Sequence, residues 1–145
     1  MESVEELLLG HQPMLRIAGL RINPRTNGPH NTTGGGIGIT LRGITSGAER
    51  KVEVPAGAKL GGLSFSPDGK YLAFENTTAS RIDLHIADTA TGQSRKVDAA
   101  LNGLGGCSWL DDSSGLICGF VTDGRGEPPA QPKAPLGPNV QENQG

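Results

Sequence analysis

A chain of 145 residues has the length of a single domain with a modest core. With 23 Gly and 10 Pro against 3 Phe, 1 Tyr and 1 Trp, it is rich in turns and poor in core material. The net charge of −2 comes from 13 basic and 15 acidic residues in mixed order, without the basic stripe of a nucleic-acid binder, and no apolar run nears the ~18–20 residues that span a bilayer.

The chain starts Met1-Glu2-Ser3-Val4-Glu5-Glu6, which is acidic and unlike a secretory signal peptide; the compartment is unmarked. Ser3-Val4-Glu5-Glu6 is a capping box, and Gly10 can close a short helix over about Val4 to Leu9. The rest of segment 1–36 is irregular, with one short strand at Leu15 to Ile22 and a flexible joint at Gly34-Gly35-Gly36.

Residues 37–122 carry an internal repeat, and a period of roughly 40–45 residues points to propeller blades. Shifted by 44, Gly61-Gly62-Leu63-Ser64-Phe65 falls on Gly105-Gly106-Cys107-Ser108-Trp109, Leu72 on Leu116 and Phe74 on Cys118. Shifted by 45, Ile39-Thr40-Leu41 falls on Leu84-His85-Ile86, and Arg50-Lys51-Val52 on Arg95-Lys96-Val97. The unit reads as four strands: Lys59 to Phe65, Tyr71 to Glu75, Arg81 to Ala87, and Ser94 to Val97. Ser66-Pro67-Asp68-Gly69 supplies the first turn, with Pro at i+1 and Gly at i+3. In the third strand Ile82, Leu84 and Ile86 alternate with Asp83, His85 and Ala87, the period of two that marks a strand.

The first hairpin predicts cross-strand partners. Leu63 faces Phe74 and Phe65 faces Leu72 on one side of the sheet, and Ser64 faces Ala73 on the other. The same arithmetic in the second copy sets Trp109 opposite Leu116 and Cys107 opposite Cys118. Directly opposed Cα atoms lie about 4.5–5.5 Å apart, which admits a disulfide. We read the two cysteines instead as small core residues at the Leu63 and Phe74 positions. The fold expected is all-β, a partial propeller: half a blade at 37–54, a full blade at 59–97 and half a blade at 105–122. Segment 123–145, with five prolines and no period, reads as a loop or disordered tail.

Motifs for chemistry are few, and each has a plainer reading. Gly43-Ile44-Thr45-Ser46-Gly47 sets its serine one place too late for a nucleophile elbow and falls on a turn of the repeat. Gly34 to Gly38 lacks the strand and helix that frame a phosphate cradle. His11 and His30 lie in irregular segments; His85 reads as packed between sheets. Asn31-Thr32-Thr33 and Asn76-Thr77-Thr78 match the glycosylation sequon, and Asn76 is expected in a turn. Asp112 aligns with Asp68, so it reads as a turn acceptor rather than half of a metal pair with Asp111. No catalytic, cofactor-binding or metal-binding residue is assigned, and no cofactor.

Two stretches resemble known families. Ser64-Phe65-Ser66-Pro67-Asp68-Gly69-Lys70-Tyr71-Leu72-Ala73-Phe74, with Ile86 to Gly92, resembles the repeat of TolB-type propellers and of the propellers of prolyl-oligopeptidase-family serine peptidases. Leu15 to Pro29, together with Gly124 to Pro129 and Gly137 to Glu142, resembles the glutamyl endopeptidases of that family. The resemblance implies a large peptidase in which a propeller caps an α/β-hydrolase domain bearing Ser, Asp and His. The hydrolase domain has no counterpart in these residues, so none of those residues is carried over. The function expected is a structural, gating piece of a peptide-hydrolysing enzyme, inactive alone, with peptide substrate only in a full-length enzyme. The alternative is a free-standing TolB-type binding module. Open blade edges invite self-association, and neither nucleic acid nor membrane is expected as partner.

Overall fold

The computed structural model describes residues 13–30 and 35–127. The expected helix at Val4 to Leu9, His11, the Asn31 sequon and the segment after Glu127 lie outside them. The described residues are all-β, with no helix, and form four small antiparallel sheets, none closed into a barrel.

The largest sheet is a four-stranded meander of β6 (Leu60–Phe65), β7 (Tyr71–Thr77), β8 (Ile82–Asp88) and β9 (Ser94–Leu101). Its first turn closes as the sequence predicts. Gly69 N–H donates to the Ser66 carbonyl at 2.8 Å, and the Ser66 hydroxyl donates to Asp68 Oδ1 at 2.7 Å. That hydroxyl and the Lys70 N–H hold the Asp68 carboxyl below its ordinary pKa.

The register from this turn holds for two pairs and then breaks. Ser64 faces Ala73 and Phe65 faces Leu72, but Gly61 then faces Glu75. The predicted Leu63–Phe74 pair is replaced by a β-bulge. Gly62 makes it possible: its φ is +57°, and a Cβ there would sit 2.5 Å from Glu75 Cδ. The extra residue turns Leu63 outward, leaving it 54% exposed while Phe74 is fully buried.

Both faces of β7 and β8 are covered, so the polar positions of β8 are buried with the apolar ones. On one face Leu60, Leu72, Phe74 and Ala87 pack with Val52, Ile39 and Leu41 of a two-stranded sheet, β4 (Ile39–Arg42) and β5 (Glu49–Val52). On the other, Ala73, Ile82, Leu84 and Ile86 pack with Cys107, Trp109, Leu116 and Cys118 of a second two-stranded sheet, β10 (Cys107–Trp109) and β11 (Leu116–Cys118). The sheets are pinned as well as packed. Glu53 N–H donates to the Gly92 carbonyl at 2.8 Å, and Ser94 Oγ to the Glu53 carbonyl at 2.7 Å. On the other side Trp109 Nε1 donates to the Ser64 carbonyl at 3.1 Å.

The repeat extends to backbone conformation. Positive φ recurs at Gly62 and Gly106, at Gly69 and Ser113, and at Gly47 and Gly92, the spacings of 44 and 45 found in the sequence. At Gly92 (φ +80°) the requirement is also steric, because a Cβ would run into the Lys51 carbonyl oxygen of the neighbouring sheet. Gly92→Ala is therefore expected to destabilise by about 1–3 kcal/mol in urea unfolding. Gly47→Ala has the same sign of φ but open space around it, and should destabilise less.

In the second hairpin both predicted pairs are present, Cys107–Cys118 and Trp109–Leu116, with Ser108–Ile117 between them. The reading of two free core thiols is corrected: Cys107 and Cys118 form a disulfide, with Cα atoms 4.2 Å apart. Direct opposition across the two three-residue strands brings the Cα atoms close enough for the bridge.

Two other readings change. Leu15 to Ile22 is two strands, β1 (Leu15–Ile17) and β2 (Leu20–Asn23), joined by Ala18 and Gly19, both with positive φ. This is the twist a two-residue hairpin turn needs. With β3 (Gly28–Pro29) they make a three-stranded sheet. Gly36, expected in a flexible joint, exchanges two backbone hydrogen bonds with Leu60, at 3.0 and 2.8 Å.

Candidate binding cleft

A cleft of about 410 Å³ lies where β10–β11 meets the far strands of the large sheet. Leu84, Ile86 and Val97 form its floor, Trp109, Leu116 and Cys118 its wall, and Arg95 brings a cation to it. The short β10–β11 sheet covers only part of that face, and the uncovered remainder is the cleft. At one end Tyr71 stacks on Trp109, with ring centroids 6.5 Å apart and planes 19° apart.

Among the described residues the cleft holds no assembled nucleophile. Ser113 Oγ accepts from Asp68 N–H at 3.0 Å, and Ser114 Oγ donates to Asp112 Oδ1 at 2.6 Å. Both hydroxyls hold turns rather than a base, whereas a nucleophilic serine needs an imidazole oriented by an acid. Asp112 is the turn acceptor the alignment predicted. Its carboxyl is held low first by the Ser114 hydroxyl and then by the Ser114 N–H. Among the described residues no group of three or more His, Cys, Asp or Glu could hold a metal ion.

His85 lies on the opposite face of β8, stacked on Phe74 at 5.1 Å between centroids. It is buried, and its Nε2 has no hydrogen-bond partner. Nearby, Arg81 Nε lies 2.6 Å from Asp83 Oδ1. That contact is an ion pair whose angle falls outside hydrogen-bond geometry. Burial holds the His85 pKa below its ordinary value; Asp83 opposes this and Lys96 adds to it. The folded protein therefore takes up this proton less readily than the unfolded chain. As pH falls below the ordinary His value of about 6.5, protonation favours unfolding, and stability is lost progressively down through the lowered pKa. His85→Phe, which keeps the ring, should flatten this part of the pH dependence; the measurement is the urea midpoint between pH 7.5 and 5. On the bulge side, burial pushes the Glu75 carboxyl up.

The other motifs have structural places. Gly43 to Gly47 is the β4–β5 turn, closed by Gly47 N–H on the Gly43 carbonyl at 2.8 Å. Asn76 lies in β7, not in a turn; it is buried, and its Oδ1 accepts from Lys59 N–H at 2.9 Å.

One feature was out of reach of the sequence. Arg125 donates to Asn27 Oδ1 at 2.6 Å and to the Pro24 carbonyl at 2.8 Å, tying together residues about 100 apart. Gly103 N–H donates to the Asn27 carbonyl at 3.0 Å beside it. The clasp joins Leu15–Pro29 to Gly124–Glu127, the segments outside the repeat that resembled one peptidase group. Arg125→Ala should destabilise by about 1.5 kcal/mol, the low end of the range for hydrogen bonds to a charged group because one of the two bonds is exposed, read as a lower thermal midpoint.

These features describe an all-β chain of repeated antiparallel sheets, and comparison adds a distant, partial relationship to peptidases. The chain is 31% identical over 148 residues to a probable chloroplastic glutamyl endopeptidase of Oryza sativa subsp. japonica, and 33% identical over 147 residues to one of Arabidopsis thaliana. Each match covers 92% of this chain, which spans only 16% and 15% of those relatives. No family profile and no solved structure matches the chain.

Proposed function

We propose that these residues are the early part of a propeller in a glutamyl endopeptidase-like serine peptidase. Their role there is structural and gating. The observation that carries this reading is the match to both plant relatives across 92% of the chain. The 44–45-residue repeat and sheets packed face to face support blades rather than an isolated β domain. The cleft serines, both engaged in turns, suit a chain whose chemistry resides elsewhere in the enzyme.

The test is a chimera. The matching segment of the Arabidopsis thaliana relative is replaced by residues 1–145 and assayed with a glutamyl-linked chromogenic peptide. The expected result is turnover by the chimera and none by residues 1–145 alone. A folded chimera without turnover would overturn the reading. So would turnover by the isolated chain that a serine-directed inhibitor abolishes.

A further inference from the structure

Among the described residues the two smaller sheets β4–β5 and β10–β11 have complementary unpaired edges. Among the described residues β11 pairs only with β10, and β4 only with β5. In the complete sheet β7, the counterpart of β11, pairs with β8, the counterpart of β4. From this relation, and resting on the reading of the sheets as successive blades, we infer that in residues 1–145 by themselves the β11 edge binds the β4 edge of a second copy of the same residues. Two half sheets then make one four-stranded sheet across two molecules, in the order β10-β11-β4-β5.

The internal pairing sets the register. Ala73 faces Ile86 and Phe74 faces His85; shifted by 44 and 45, Ile117 faces Leu41 and Cys118 faces Thr40 of the second copy. Three further observations fit that register. The incoming β4–β5 hairpin lies over the cleft, on the part of the large sheet that β10–β11 leaves uncovered. Arg50 donates to the Thr89 carbonyl at 3.1 Å in the internal contact. Its counterpart Arg95 lines the cleft, and the equivalent acceptor is the carbonyl of Ile44, whose residue is fully exposed. Finally, the β4–β5 sheet does not cover β6, where Phe65 is 56% exposed; the outer face of β10–β11 in the joined sheet carries Ile117, 67% exposed, and lies over that strand of the second copy. The two exposed apolar sites are the two sides of one interface.

Such an interface is heterologous, building rings or open chains of copies. It is tested on residues 1–145 by light scattering across a concentration series, with Ile117→Lys altering one side and Phe65→Lys the other. Both positions are exposed, and a cooperative thermal transition verifies that each variant folds, its midpoint lowered only by the lost association. The wild type is expected to form multimers and each variant alone to remain at the 15.0 kDa chain mass. An equimolar mixture should give a species of twice that mass, because each variant supplies the edge the other has lost. A wild type monomeric at all concentrations, single variants that associate like the wild type, or a mixture that stays monomeric would each overturn the inference. The chimera reads activity and this experiment reads mass, so either can fail without the other.

Discussion

Phe74→Ala is expected to lower stability by about 3–5 kcal/mol, a third or more of the roughly 5–15 kcal/mol that holds a domain folded. Phe74 is fully buried in the middle of β7. It packs with Leu60 and Leu72 of its own sheet and with Val52 of the β4–β5 sheet, and stacks on His85. Its removal leaves a cavity at the joint between two sheets, and neither can collapse to fill it without breaking backbone pairing. Urea unfolding followed by circular dichroism measures the loss. A change below about 1 kcal/mol, the ordinary range for a tolerated substitution, would show that the two sheets are not held together at this residue. Leu20→Ala, at an exposed site of the β1–β3 sheet, is the control.

Reducing the Cys107–Cys118 disulfide is expected to remove about 3 kcal/mol, the loop-closure value for the 11-residue separation of the two cysteines. The effect should be local before it is global. Strands β10 and β11 have three residues each, and a two-stranded hairpin is marginal in water without support. The reduced hairpin is therefore expected to fray from the large sheet and take Trp109 away from Tyr71 and the Ser64 carbonyl. Tryptophan fluorescence reports this directly, since the chain has one Trp. The prediction has a simple prior check: the native protein should show no titratable thiol until reductant is added. Two titratable thiols in the native protein would restore the reading of free core cysteines.

The clasp and the disulfide differ in how visible they were beforehand. The register arithmetic placed Cys107 opposite Cys118, and it counted correctly because no bulge interrupts β10–β11. Whether opposed cysteines bridge depends on the fit of two side chains, which counting does not describe. Arg125 offered no signal of its own. Its partners are a carbonyl and an amide brought near by the path of the whole chain, and only the shared resemblance of the two segments hinted that they belong together. The cleft was equally hidden, because it is a shortfall of cover between two sheets rather than a property of any strand.

Local order was determined by the sequence alone. The repeat, the turn at Ser66 to Gly69, the alternation of Ile82, Leu84 and Ile86, and the pairing of the second hairpin all follow from spacing along one or two neighbouring strands. Side-chain direction in a strand alternates with every residue, so nothing distant is needed to read it. Tertiary structure decided the rest. Gly62 and Leu63 form a bulge between the Gly61–Glu75 and Ser64–Ala73 pairs, a shift that the count from the turn does not contain. Asp83 and His85 are buried because a second sheet covers the face that alternation would leave to solvent, while Phe65 is exposed because that cover stops short of β6, and Ile117 because it lies on the outer face of β10–β11. Burial is a relation between sheets, and the spacing of residues along a strand gives which face a residue occupies but not what lies against that face.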